Sequence, residues 1–160
     1  MATSTNYTGR NVDLNIFQNT PAEGAGESLV ELVFGGDGGE VVTGIHKLCQ
    51  SFTVLFLTEI SSIPLHTALG TNFVTAVRMG RLRDEGDVRS EFQESAERVK
   101  QTLDLEIDTY NLPEDEQIES VVLQNFEINQ AASQLKIYVR ITTVAGNSRV
   151  LYLPVPIAIQ

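Results

Sequence analysis

Residues 44–70 read GIHKLCQSFTVLFLTEISSIPLHTALG. Ile45, Leu48, Cys49, Phe52, Leu55 and Phe56 recur at steps of three and four residues, which places them on one wide apolar stripe of a helix. The spacing predicts a buried helix from Gly44 to Leu57, with Thr43 available as its N-cap. A turn follows at Ser61-Ser62-Ile63-Pro64, and then a short run that ends at Gly70. A buried helix running into a proline-marked surface loop closed by glycine is the element around which the other segments are arranged.

Toward the C-terminus, Thr71 is placed to cap a short helix, Asn72 to Met79, with Phe73, Val74 and Val77 inward. Arg78, Arg81 and Arg83 form a small basic knot around Gly80. Asp84 and Asp87 offer carboxylates to the start of the next helix, where the dipole favours negative charge. That helix spans about Val88 to Asp108. Val88, Phe92, Ala96, Val99, Leu103 and Ile107 form its apolar stripe, and Glu91, Glu94, Glu97, Arg98 and Lys100 its polar side. Asn111-Leu112-Pro113 stops it. The period then changes from 3.6 to 2. Ile118 to Ile128 reads as a strand. Leu135, Ile137, Val139 and Ile141 alternate with Lys136, Tyr138, Arg140 and Thr142, as in a half-buried antiparallel strand. A last strand, Val150 to Ile159, contains Pro154 and Pro156. Proline cannot donate to a ladder, so this strand is expected to be an edge or to leave the sheet, and a chain end of this kind can add itself to another molecule's sheet.

Toward the N-terminus, Leu29 to Phe34 is expected to form a hairpin with Glu40 to Val42 through Gly35-Gly36-Asp37-Gly38-Gly39. The glycines lack the Lys-Ser/Thr of a phosphate loop. Residues 1–27, rich in Thr, Asn, Gly and Ser, read as an extended arm preceding one domain over 28–160. The expected class is α+β, an antiparallel sheet of about three C-terminal strands packed on two main helices.

The totals narrow the function. Cys49 is the only cysteine, which excludes an internal disulfide, and its place on the buried stripe makes it a small core filler. No run of 18 apolar residues is present, and MATSTNYTGR lacks the basic and apolar regions of a secretory signal. The net charge is −10, and it is unevenly placed. Asp84 to Glu127 holds fourteen acids against three bases, for −11, whereas Ile128 to Gln160 holds three bases and no acid. An acidic helix repels phosphate backbones, so nucleic-acid binding is not expected. The two histidines, His46 and His66, have no cysteine or carboxylate at a spacing that completes a metal set. No serine sits in a Gly-x-Ser-x-Gly setting. The acids lie on a helix face and in the Glu114-Asp115-Glu116 turn, with nothing apolar expected around them to raise a pKa for hydrolysis. No catalytic residue, metal or cofactor is assigned.

The order of parts resembles the baseplate wedge and sheath-initiator family of contractile phage tails, whose relatives occur in type VI secretion baseplates. Gly39-Glu40-Val41-Val42-Thr43-Gly44 is similar to that family's Gly-Asp-Leu…Gly approach to its first helix. Pro64, Leu65 and Gly70 agree or nearly agree with its Gly-Glu-Arg-Pro-Met-Arg-Pro-Asp-Phe-Gly loop, whereas Ser61, Ser62, Thr67 and Ala68 depart from it. The family's Glu-Pro-Arg signature would fall on Asp115-Glu116-Gln117 and is not kept in identity. The likeness covers about Leu29 to Leu153.

The resemblance implies a virion structural protein of the tail baseplate, assembled in the host cytoplasm, with no enzymatic activity. It implies a ring of about six copies around the tail tube that joins the wedge proteins to the tail sheath protein and templates the first sheath disc by strand augmentation. Leu151, Leu153, Val155 and Ile157, with Lys136, Tyr138 and Arg140, are then the expected sheath contacts. Asp115, Glu116, Gln117, Pro64 and His66 are the expected wedge contacts. On this expectation, removal of Leu151 to Gln160 leaves a folded domain. The alternative is another tail adaptor or terminator ring protein. A peptidoglycan hydrolase, suggested by the "lysozyme-like" label of some family members, lacks an acid pair here.

Overall fold

The structure is a computed structural model that describes residues 13–14, 17–21, 28–32, 41–129 and 133–157. Four short strands come first: β1 (Asp13–Leu14), β2 (Phe17–Pro21), β3 (Ser28–Leu32) and β4 (Val41–Val42). Three helices follow, α1 (Gly44–Leu57), α2 (Phe73–Arg78) and α3 (Glu85–Tyr110). A 3-10 turn at Glu114–Glu116 leads to β5 (Ile118–Asn129), β6 (Gln134–Thr143) and β7 (Ser148–Pro156). The architecture is α+β, with the antiparallel strands β5, β6 and β7 forming one side of a five-stranded sheet of order β2-β3-β7-β6-β5. Among the described residues no helix is long and apolar enough to cross a membrane.

The core lies between the helices and one face of this sheet. β6 buries Leu135, Ile137, Val139, Ile141 and Thr143 in strict alternation, the period a half-covered antiparallel strand requires. β7 adds Leu151, Leu153 and Val155, each 0% exposed. From the helical layer, Phe52, Phe56, Phe73 and Phe92 meet as an aromatic cluster with ring centroids 4.9–6.4 Å apart. Each such ring, fully buried, contributes about 1.5–3 kcal/mol. Cys49 is buried among them, and burial pushes its thiol up to about 12, so it is the expected inert filler.

The helix ends are fixed by chemistry that spans the chain. Thr43 precedes α1 in extended geometry but makes no side-chain cap bond. The capping is done instead by Glu116, 72 residues away: its Oε1 accepts from the Gly44 N–H at 3.1 Å and its Oε2 from Lys47 Nζ at 2.7 Å. A carboxylate there also meets the positive end of the helix dipole. Thr71 lies one residue before the N-cap of α2, which is Asn72 and makes no side-chain cap bond; the Thr71 hydroxyl still accepts from the Phe73 N–H at 3.3 Å, and it donates to the Phe56 carbonyl at 2.7 Å. Asp84 caps α3 by accepting from the Asp87 N–H at 2.9 Å, and Asp87 accepts in return from the Arg83 N–H at 2.9 Å. Asn111, left-handed at φ 48°, ends α3 two residues before Pro113.

Three strand expectations change. β7 is not an edge: it lies between β6 and β3, with β3 parallel to it at Leu29–Val150 and Val30–Leu151. The prolines tolerate this because they lie beyond the β3 pairing. Opposite Lys136 and Gln134, their nitrogens, which carry no hydrogen, turn away from β6. Second, Val41–Val42 pairs with Asp13–Leu14, and β3 pairs with β2 and β7, so among the described residues the expected hairpin between 29–34 and 40–42 is not formed. A two-residue strand leading straight into a helix start anchored by Glu116 cannot also fold back along β3, and the longer ladders win. Third, parts of the expected N-terminal arm pair within the chain, as β1 and β2, and Gln50 Nε2 holds β1 to α1 through Asp13 Oδ2 (2.7 Å) and the Leu14 carbonyl (2.8 Å). The glycine cluster 35–39 and the rest of the arm lie outside the described residues.

Candidate partner interfaces

With β7 inside, the outermost strands of the sheet are β2 and β5. β5 is twelve residues long and pairs on one side only, with β6. The β7 prolines fix the parity of β6: its odd residues bond β7, so its even residues bond β5. Val121 and Leu123, opposite Ile141 and Val139, therefore turn their N–H groups to the open side. The pairing slips between Ile118 and Ser120 and again between Leu123 and Asn125. Such bulges twist an edge away from uncontrolled pairing while leaving stretches that a fitted strand can use. Alongside this edge α3 leaves a groove of about 440 Å³. Phe92, Ala96 and Val121 line it; Lys100 crosses it to donate to the Glu119 carbonyl at 3.2 Å, and Arg89 lies 6.0 Å from the Phe126 ring centroid.

The expected sheath contacts divide. Leu151, Leu153 and Val155 are 0% exposed and face the chain's own core, so their side chains are not available to a partner. Ile157 packs against the same core and its N–H donates to the Ser133 carbonyl at 2.8 Å. The end of the described chain is thus fastened to its own fold. Lys136, Tyr138 and Arg140 lie half-exposed on the opposite, helix-free face of the sheet. There the Tyr138 and Tyr152 rings stand 5.5 Å apart and Lys136 Nζ lies 5.8 Å from the Tyr152 ring. Desolvation raises the Tyr138 pKa, with Glu127 adding to the shift and Lys136 opposing it. Arg140 donates to Ser148 Oγ at 3.3 Å, and the Gln124 amide, turned with its oxygen toward the guanidinium, accepts from it at 2.6 and 2.8 Å.

The expected wedge contacts divide as well. Glu116 is 4% exposed and is engaged by Gly44 and Lys47, so its carboxylate serves the fold. Gln117 donates to the Leu112 carbonyl at 2.7 Å, and Asp115 is half-buried beside them. Pro64 and His66 are exposed on the loop that joins α1 to α2. This loop is closed at its base. Glu59 bridges Thr71, the Thr71 N–H donates to the Thr58 carbonyl at 2.8 Å, and the Ser61 N–H donates to the Thr67 carbonyl at 3.1 Å. Gly70 is at φ +95°, and a Cβ there would stand 2.3 Å from the Thr58 carbonyl oxygen, so only glycine fits. Arg98 of α3 braces the loop, donating from Nε to the Gly70 carbonyl (3.0 Å) and from Nη2 to the Ala68 carbonyl (2.9 Å). The side chains at 61–68 are all exposed, Leu65 at 90%. Sequence reading missed Arg98 in this role. Its one signal was to be among only three bases in the acidic stretch.

Among the described residues no group of three His, Cys, Asp or Glu is placed to hold a metal. His46 is half-buried; burial, and then the Arg149 charge, lowers its pKa. Glu91 departs from the expectation of unperturbed acids: desolvation raises its pKa, Glu94 raises it further and Arg81 opposes the shift. It is half-buried on α3 and does not line the groove beside β5. No protein family, curated protein or solved structure matches the chain.

Proposed function

We propose that this chain is a non-enzymatic structural component of a contractile phage-tail baseplate, present as a ring of about six copies around the tail tube. It joins the wedge to the tail sheath protein and templates the first sheath disc by strand addition. The observation that carries this reading is the open β5 edge beside the α3 groove, the longer of the two outermost strands of the sheet. The resemblance in layout supports it. The receiving strand is β5, because the side chains of β7 are spent on the core. The half-exposed Lys136, Tyr138 and Arg140 and the loop bearing Pro64 and His66 remain the surfaces offered to sheath and wedge.

The test is Val121→Pro, which removes an outward N–H without touching the β6 ladder. Seeding of polymerisation of the purified sheath protein is measured beside the variant's thermal midpoint. The variant is expected to stay folded and to lose seeding; wild-type seeding by a folded Val121→Pro protein would sink the proposal.

A further inference from the structure

The β5 edge and the α3 groove together specify more than a vacant backbone. Between its two bulges β5 offers one regular stretch, Ser120 to Leu123, from which Val121 and Leu123 turn their N–H groups outward. Their side chains lie on the helix side, opposite Ile141 and Val139, and are only partly covered by the core. Cross-strand neighbours share a face, so the residues of an added strand opposite Val121 and Leu123 point into the groove, where Phe92 and Ala96 line it. The middle of the site thus takes two aliphatic side chains at alternate positions of an extended backbone.

The ends of the groove are charged, and the two signs are in different states. α3 and β5 run in opposite directions, with Lys100 beside Glu119 and Arg89 beside Phe126. Both bases are engaged: Lys100 donates to the Glu119 carbonyl at 3.2 Å, and Arg89 to the Glu85 carboxylate at 2.7 Å. The acids of the lining, Glu97 and Glu119, have no ion-pair partner among the described residues, and Glu97 accepts from the neutral Gln101 amide at 3.3 Å. At that end two carboxylates stand against one ammonium, and the exposed Glu94, one turn before Glu97, adds a third acid. We infer that the β5 edge selects an extended segment of another polypeptide whose groove-facing residues are aliphatic in the middle and basic at the Glu97–Glu119 end. The inference rests on the proposed strand addition and deepens it, by naming the chemistry of the strand that is accepted.

The test uses two fluorescein-labelled synthetic peptides, Lys-Thr-Val-Thr-Leu-Thr-Lys and Glu-Thr-Val-Thr-Leu-Thr-Glu. They share the aliphatic pair and differ in end charge, and a charge at each end serves either strand direction. Their anisotropy is followed against the purified full chain, up to about 1 mM protein. The lysine peptide should bind more tightly than the glutamate peptide, and added NaCl should narrow the difference. Glu97→Lys should weaken the lysine peptide about 2- to 10-fold and strengthen the glutamate peptide. Glu106→Lys changes the net charge equally but lies by the cavity between α1 and α3, so it should leave both peptides close to wild type. Val121→Pro should abolish binding of either. No binding of the lysine peptide by about 1 mM, equal affinity for the two peptides, equal effects of Glu97→Lys and Glu106→Lys, or wild-type binding by a folded Val121→Pro protein each overturns the inference. Glu97 and Glu106 are both exposed, so the charge swaps decide the matter even if Val121→Pro misfolds. Loss of the peptide preference with sheath seeding intact sinks this selectivity alone, and selective peptide binding by a chain that fails to seed sinks the sheath proposal alone.

Discussion

Glu116 is the residue on which local and long-range structure meet. It sits in a turn of three consecutive acids, yet only this one is buried, and it anchors a helix that begins 72 residues earlier. Glu116→Ala leaves the Gly44 N–H unanswered and Lys47 without its partner. Lys47 keeps some access to water, so the expected loss is about 2–3 kcal/mol by urea unfolding, below the full cost of breaking a buried pair. Glu116→Gln retains an acceptor for Gly44 and should cost about 1 kcal/mol. His46 sets a pH dependence whose sign follows from its burial. Its folded-state pKa lies below the ordinary 6.5, so the unfolded chain takes up a proton more readily. Stability is therefore whole above that value and falls as pH drops through it. The urea midpoint should decline between about pH 7 and about pH 5, and His46→Gln should flatten part of that limb.

At the scale of elements, the apolar periods located the helices and the C-terminal strands well. Residues 44–57 were bounded by their stripe alone, and β6 by its alternation, because both bury one face and expose the other. What periodicity does not carry is partnership. The prolines of β7 were read as marks of an edge strand, whereas they guard one half of an inner one. β3 covers β7 at Val150 and Leu151, and past that point the prolines leave the outward side without donors. Pro154→Val with Pro156→Val restores two outward N–H groups while keeping apolar side chains. The double variant should hold its thermal midpoint but scatter light increasingly on storage, as an unguarded edge recruits other chains. No added scattering would mean that another element already covers that half of β7.

For the whole molecule, the class was readable and the sheet order was not. Strand order depends on which backbone edges meet after collapse, and β3 and β7, about 120 residues apart in the chain, leave no local trace of their pairing. Of the candidate interfaces, the exposed Pro64 and His66 followed from loop chemistry, but the inward Leu151, Leu153 and Val155 did not, since a strand covered on one face reads alike at an edge or a centre. The truncation expected to spare the fold should instead destroy it. Removing Leu151 to Gln160 strips three fully buried side chains, each worth about 1.5–3 kcal/mol, from a domain whose net stability is typically about 5–15 kcal/mol. Loss of far-UV dichroism and of protease resistance is the expected readout; a resistant fragment would mean that the remaining strands close without β7. The strand made last of all those described thus fills the middle of the sheet. A nascent chain cannot close this sheet until β7 has left the ribosome, so products that stop before it go to proteolysis, and only chains that carry it compete for a place in a larger structure.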